Sequence, residues 1–379
     1  MRIAYFIDTI STDAAGTQKQ LLEIIKRLDR SEFDPELICL WESPWMRENS
    51  LPCRCTMLGY RGFLKANLPS VVRRLAALID EHGIELIQTF FEDSIFLAAL
   101  GAAFAHASPV LLSSRRDIGL GKTNRPWYHS LFGAALPMVN RRFHGIVANS
   151  EQVRQYVARR ERTPLGKIRV IYNGVTIPGA ASAPVPAVFQ EHPAQVWIGL
   201  VASLTPVKRH DLLIRALASI AKSKRAPGVQ VLFLGEGPER VRLAELATAC
   251  GVGNLVHFAG AISDVGSYLR QLHIGVLCSD REGLSNAILE YMAFGLPVVV
   301  TSVGGNTELV SEENGIRVPP NDPDSLARAL DALIADPALR ERMGAASLLK
   351  VQRDFSWERS MSELQGYYRA ITAPDKTSS

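Results

Sequence analysis

DREGLSNAILEYMAFGLPVVVTSVGGNTELV, residues 280–310, is the stretch on which the fold turns. LHIGVLCS (272–279) just before it has the apolar content of a buried strand, and PVVVTS (297–302) within it has the same. What lies between them is therefore a strand–loop–helix crossover. Ser285 is the N-cap of that helix, since its hydroxyl can accept from an otherwise unsatisfied N–H of the first turn. A helix starting there aims free N–H groups and the positive end of its dipole at the carboxyl edge of the sheet, where open parallel sheets bind phosphates. Glu282 falls in the loop before the helix, and Glu290 falls inside it, on the face of Asn286 four residues earlier. A ligand touching both would meet two carboxylates able to accept from vicinal hydroxyls, with helix amides between them for a diphosphate. This spacing points to a nucleotide sugar. The run GLPVVVTSVGG has no need of its glycines unless the backbone turns sharply or approaches another segment closely.

Outward from this stretch, strand and helix patterns alternate along the whole chain. FDPELICL, IELIQTF, VLLSS, GIVANS and IRVIYN are successive strand candidates of the first half, separated by helices such as LLEIIKRLD and PSVVRRLAALIDEHG with 3.6-residue apolar stripes. Alternation of this kind predicts an α/β fold with parallel sheets covered on both faces. TIPGAASAPVPAVFQEHPAQ (176–195) is rich in Pro and Ala, has no periodic pattern, and is expected to link two domains. VWIGLVAS then opens a second doubly wound sheet. DFSWERSMSELQGYYRAI is a terminal helix, and APDKTSS is expected to be a disordered tail. The expected limits are 1–178 with 356–373 for the first domain and 190–355 for the second.

Composition agrees with two ordinary globular domains: 379 residues, 47% hydrophobic and 21% charged. The charge is uneven. Residues 1–180 hold 23 Lys and Arg against 17 Asp and Glu, a surplus of +6, which leaves −2 for the rest of a chain at +4. The basic clusters are Lys65 with Arg73 and Arg74, Arg115 with Arg116, Lys122 with Arg125, Arg141 with Arg142, and Arg154 to Lys167. Phe63, Trp127 and Tyr128 lie near them and read as exposed aromatics. A solvated basic face accounts for this as well as attraction to an anionic lipid surface or lipid-diphosphate acceptor does. No recognition motif for nucleic acid accompanies the charge. Five cysteines without a metal-type pair suggest reduced thiols in a cytosol, and RIAYFID reads as a first strand instead of a signal peptide.

Glu282 and Glu290, as E-x7-E followed by the GGN turn, resemble the donor-site signature of the retaining family 4 glycosyltransferases of GT-B fold. IDTISTDAAGTQKQLLEI resembles the family's glycine-containing loop opening the first helix, here with Gly16. VANSEQV (147–153), VIYNGV (170–175), VASLTPVKRHDLLIRAL (201–217), LFLGEGPER (232–240) and HFAGAISDV (257–265) match further landmarks in order. The resemblance covers nearly the whole chain. It implies two Rossmann-like domains facing a cleft, the acceptor bound on the first and the donor on the second, with a C-terminal helix crossing back to the first.

What the resemblance implies for single residues is specific. Lys208 would neutralise the diphosphate as the sugar departs, and Gly16 would let a backbone N–H approach it. Gly283, Leu284, Ser285 and Asn286 form the helix start, where Ser285 with Leu284 or Asn286 would supply amides. Glu290 would hold the ribose hydroxyls and Glu282 those of the transferred sugar. Phe258 and Gly260, in the FAG turn, would offer backbone groups to the base. No covalent nucleophile and no metal or other cofactor is expected. Two positions depart from the pattern. Ser203 stands where many relatives carry an arginine in the diphosphate site, and RRDIG follows VLLSS where relatives place a histidine. Arg116 could there bind a donor or acceptor phosphate and Asp117 could take the acceptor hydroxyl's proton; an ion pair between the two accounts for them equally well.

Competing chemistries lack their motifs. There is no G-x-G-x-x-G after the first strand, no P-loop, no H-E-x-x-H and no G-x-S-x-G, and DPD (322–324) reads as a helix cap. The expectation is a glycosyltransferase using a UDP-sugar, by family habit, and a glycan or lipid-linked acceptor, for envelope polysaccharide, exopolysaccharide or glycolipid, at the cytoplasmic face of a membrane. A non-catalytic nucleotide-sugar-binding homologue, encouraged by Ser203, and a GT-B epimerase are the alternatives.

Overall fold

A computed structural model describes residues 1–13, 16–117, 129–179, 184–193, 195–222 and 228–373. Lys122, Arg125, Trp127, Tyr128 and the tail expected to be disordered from residue 374 lie outside the described residues. The chain divides into two compact units, Met1–Asn173 with Glu358–Ser379, and Gly174–Trp357.

The first unit is built on seven strands: β1 (Arg2–Ile7), β2 (Asp34–Cys39), β3 (Arg54–Met57), β4 (Leu86–Phe90), β5 (Val110–Arg115), β6 (Gly145–Ala148) and β7 (Ile168–Val170). They lie in the order β3-β2-β1-β4-β5-β6-β7, and every pairing is parallel. Central strands are buried on both faces: after Arg2 the strand IAYFI is a continuous apolar run without alternation, and LIQTF is buried throughout although it carries Gln88 and Thr89. The strand order reverses between β1 and β4, so the crevice outside their carboxyl ends is where an open α/β sheet takes a ligand. Helix Trp357–Thr372 closes this unit: buried Tyr368 donates to Gln88 Oε1 and receives the Tyr5 hydroxyl at 3.1 Å, and Ser360 donates to the Tyr172 carbonyl at 2.8 Å.

The second unit carries β8 (Val196–Val201), β9 (Val229–Leu234), β10 (Val256–Gly260), β11 (Ile274–Leu277), β12 (Val298–Thr301) and β13 (Gly315–Val318) in the order β10-β9-β8-β11-β12-β13, again all parallel. Its reversal lies between β8 and β11, so the loops following these two strands flank its ligand crevice.

Three expectations need correction. The linker stretch is not featureless: helix Ala187–Gln190 forms within it, and Phe189 is buried with its ring 4.7 Å from Trp197. β3 was not among the strand candidates, because RCTM is a short edge strand with little apolar content. Phe63 is no exposed aromatic; it packs edge-on against Tyr60 and Phe96, with ring centroids 5.5 and 6.1 Å away. Leu64 beside it is the exposed residue.

Candidate functional site

In the second unit, the chain leaving β8 makes a tight turn, Pro206–Lys208, and the chain leaving β11 makes the loop that carries Glu282. The reversal of the sheet places these loops side by side, and Asp280 N–H donates to the Val207 carbonyl at 2.9 Å. Lys208 Nζ lies 2.6 Å from Glu282 Oε1. The Glu282 side chain is 6% exposed and that of Lys208 23%, so the pair reaches solvent through its lysine. Ser279 donates its hydroxyl to the same carboxylate oxygen. A carboxylate so buried is stable only when paired and hydrogen-bonded, and it is both. Sequence reasoning gave the lysine to a diphosphate and the glutamate to a sugar; the structure joins them in one ion pair.

The glycines of the signature are set by close backbone approach. Gly304 has φ +50°, and a Cβ there would stand 1.9 Å from the Glu282 carbonyl oxygen; at Gly305 it would stand 2.2 Å from that of Gly283. Gly305 N–H donates to the Gly283 carbonyl at 2.8 Å. The GG turn is therefore the floor on which the Glu282 loop rests.

Helix Asn286–Ala293 begins as expected, with Ser285 Oγ accepting from Ile288 N–H. Leu284 and Ser285 are buried, whereas Asn286 and Glu290 are half-buried on one helix face. Tyr291 anchors the helix to the switch point: its hydroxyl accepts from Val201 N–H at 2.6 Å and donates to the Val276 carbonyl at 3.3 Å. Gly275 makes room for its ring. On the other side of β8, Gly260 has φ +78° and its carbonyl accepts from Gly235 N–H at 2.8 Å, while half-buried Phe258 lies under the Arg240 guanidinium at 5.5 Å from ring centroid. Ser203 is exposed, and its carbonyl accepts from Thr205 N–H.

Next to the lysine, Arg209 adopts a left-handed conformation (φ +50°) that costs a non-glycine residue about 1 kcal/mol or more. Its guanidinium forks onto Asp211 at 3.0 and 3.1 Å, reaches Asp280 at 3.1 Å, and donates to Asn321. One side chain thus ties the lysine loop to the Glu282 loop. His210, which follows, is buried edge-on against Phe233; burial, and then the nearby Lys208 charge, hold its pKa down at about 4, so it is neutral.

The first unit has a cleft of about 380 Å³ at the carboxyl edge of its sheet, lined among others by Thr17, Phe91, Glu92, Arg116, Asp117 and Arg160. Phe91 has φ +71°, a strained backbone at the end of β4. Gly16 is the first residue of helix Gly16–Arg27, adjacent to Thr17. Arg116 and Asp117 do not form the ion pair allowed for above: Arg116 Nη1 donates to Asn173 at 2.7 Å, and its guanidinium sits 5.6 Å from the Phe90 ring centroid. Its neighbour Arg115 is instead spent structurally, forked onto buried Glu161.

Residues 14–177 match the family description Glycosyltransferase Family 4, and residues 188–348 match Glycosyl transferases group 1. The chain belongs to the GT-B glycosyltransferases. The chain is 42% identical over 137 residues to the lipopolysaccharide core biosynthesis glycosyltransferase LpsE of Rhizobium meliloti, a match covering 36% of the chain and 38% of that relative's length. It is 26% identical over 390 residues to a GDP-mannose-dependent alpha-(1-6)-phosphatidylinositol monomannoside mannosyltransferase of Mycobacterium tuberculosis, covering 94% and 95%. Among solved structures, Anabaena Alr3699/HepE in complex with UDP superposes with a TM-score of 0.83 at 20% identity, over 98% of this chain and all of that one; at that identity the likeness shows the fold.

Sequence reasoning missed Ser279, Arg209 and Tyr291. Nothing local signals the first two, whereas Tyr291, directly after Glu290 on an apolar helix, reads only as core. An Arg209→Gly variant separates the clamp from the backbone strain. It is expected to change stability by less than about 1 kcal/mol, because relief of the left-handed strain offsets the lost contacts, while nucleotide affinity falls several-fold. Calorimetric titration beside thermal unfolding checks this; unchanged affinity would remove Arg209 from the site.

Proposed function

We propose that this glycosyltransferase moves a sugar from a nucleotide sugar, UDP-linked, to a glycan or lipid-linked acceptor with retention of configuration, in the assembly of envelope polysaccharide, exopolysaccharide or glycolipid. The observation that carries the reading is the Lys208–Glu282 pair at the switch point of the second sheet, beside the start of helix Asn286–Ala293. The second unit takes the donor. Lys208 swings from Glu282 to the diphosphate as negative charge grows there, with amides of Gly283, Leu284, Ser285 and Asn286 as further donors. Glu282, released, accepts from hydroxyls of the transferred sugar, and Glu290 accepts from the ribose. Phe258 and Gly260 border the base, and Ser203 borders the phosphates. Positive charge comes from the lysine and helix start, so no metal is invoked. The first unit takes the acceptor, with Asp117 as the base that receives its hydroxyl proton.

These roles separate on mutation. Glu290→Ala is expected to weaken UDP binding about tenfold or more, by loss of charge-assisted hydrogen bonds. Glu282→Ala is expected to leave UDP affinity within a few-fold and lower transfer. Equal loss of UDP affinity in both variants contradicts the assignment.

Peripheral attachment to an anionic membrane belongs to the same reading. No helix among the described residues is long and apolar enough to cross a membrane. Helix Glu92–Phe104 exposes Leu100 and Phe104, helix His129–Val139 exposes Met138, and Arg73, Arg74, Arg141 and Arg142 are exposed in the same unit. Such a mix of apolar and basic side chains suits an anionic surface. Sedimentation with vesicles should recover the protein with phosphatidylglycerol at low salt and not with phosphatidylcholine; equal recovery from both counts against it.

A further inference from the structure

Arg116 is not fully used by the protein. Among the described residues the only hydrogen bond of its side chain runs from Nη1 to the neutral amide of Asn173, and its Nε–H is buried with no partner. Among the described residues it forms no ion pair, although Glu92 and Asp117 line the same cleft; both of these have partners of their own. Burial lowers its pKa to about 10, still well above neutrality, so the group is a partly buried cation with no counter-ion among the described residues. A buried unpaired charge and an orphan N–H are both costly unless something outside the protein completes them. The Phe90 ring repays part of this through cation–π attraction. Arg160, at the end of helix Glu151–Arg160, lines the cleft from the rim, is exposed, and also lacks an ion pair among the described residues. The contrast with Arg115 is direct: that guanidinium is fully forked onto Glu161, Asn140 and Ser113.

From this pair of unspent guanidinium groups we infer that the first-unit cleft recognises an anionic substituent, a carboxylate or phosphate, on the sugar it binds. A planar guanidinium receives either group through two parallel hydrogen bonds. Arg116 sits at the bottom and gives specificity; Arg160 at the rim draws the anion in. The cleft volume of about 380 Å³ suits one sugar ring with its charged group. This inference rests on the glycosyltransferase reading and narrows its substrate to acidic or phosphorylated glycans. The same anion could be carried by the acceptor or by the sugar of the donor.

Binding of glucuronate, glucose 6-phosphate and glucose to the full chain, by saturation-transfer NMR and titration, tests it. The two anionic ligands should bind about tenfold or more tightly than glucose. Arg116→Gln should abolish the preference, and Arg160→Gln, at an exposed site where folding is not at risk, should reduce it and its salt dependence. UDP affinity is measured alongside: if it persists while the wild type shows no preference either among the free sugars or between UDP-glucuronate and UDP-glucose, the inference fails and the donor reading stands. Repeating the comparison with UDP-glucuronate against UDP-glucose separates the sources. Discrimination among free sugars places the anion on the acceptor, and discrimination among nucleotide sugars alone places it on the donor. A preference for anions that survives both substitutions overturns the proposal.

Discussion

Gly304→Ala is expected to lower stability by about 2–4 kcal/mol and to abolish nucleotide binding. The added Cβ would stand 1.9 Å from the Glu282 carbonyl oxygen, in a left-handed backbone that alanine already disfavours. The obstructing atom is backbone, so no flexible side chain can move aside. Either the GG turn or the Glu282 loop must shift, and the second shift carries Glu282 away from Lys208. Gly251→Ala is the matched control, since Gly251 has φ +75° in the same unit with nothing within 4 Å of the added methyl. Its cost should be the backbone strain alone, about 1 kcal/mol. Urea unfolding and UDP titration of the two variants check the contrast; equal effects at both positions would mean that the close approach of the GG turn has no special role.

Lys208→Ala is expected to reduce donor turnover by roughly 10²–10³-fold, the scale seen when one preorganised group facing developing charge is removed. The same change strands Glu282, whose side chain is 6% exposed, with only Ser279 as partner. Breaking such a pair costs about 3–5 kcal/mol, chiefly because the remaining charge stays buried. Lys208→Ala combined with Glu282→Gln should therefore be more stable than the sum of the single changes allows, while remaining inactive. A double-mutant cycle measures this coupling. Additive stability losses would show that the two side chains do not depend on each other.

Much of the candidate site in the second unit is legible in the sequence, for identifiable reasons. Ser285 and the helix after it follow from the change of apolar period behind β11, and the Gly304–Gly305 turn announces itself because two adjacent glycines between a strand and a helix need a steric cause. What stays hidden is tertiary. Lys208 and Glu282 are 74 residues apart, and only the reversal of strand order between β8 and β11 brings them to 2.6 Å. Arg209 is invisible for a different reason: its left-handed φ contradicts local preference and is maintained by Asp211, Asp280 and Asn321. In the first unit, RRDIG shows two adjacent arginines with no hint of their difference. Their fates are set by Glu161 and Asn173, which come from distant segments. Phe63 reads as a surface aromatic because the pocket formed by Tyr60 and Phe96 exists only after the helices pack.

The most direct test of the account is thermal unfolding of the purified chain with UDP, GDP, ADP and their common sugar conjugates, without added metal. A ligand near 100 times its dissociation constant stabilises the folded state by roughly 2.7 kcal/mol. The account predicts a rise in unfolding temperature with UDP, enlarged by one UDP-sugar and reduced by about half or more in Glu290→Ala. Indifference to every nucleotide in the panel would contradict it.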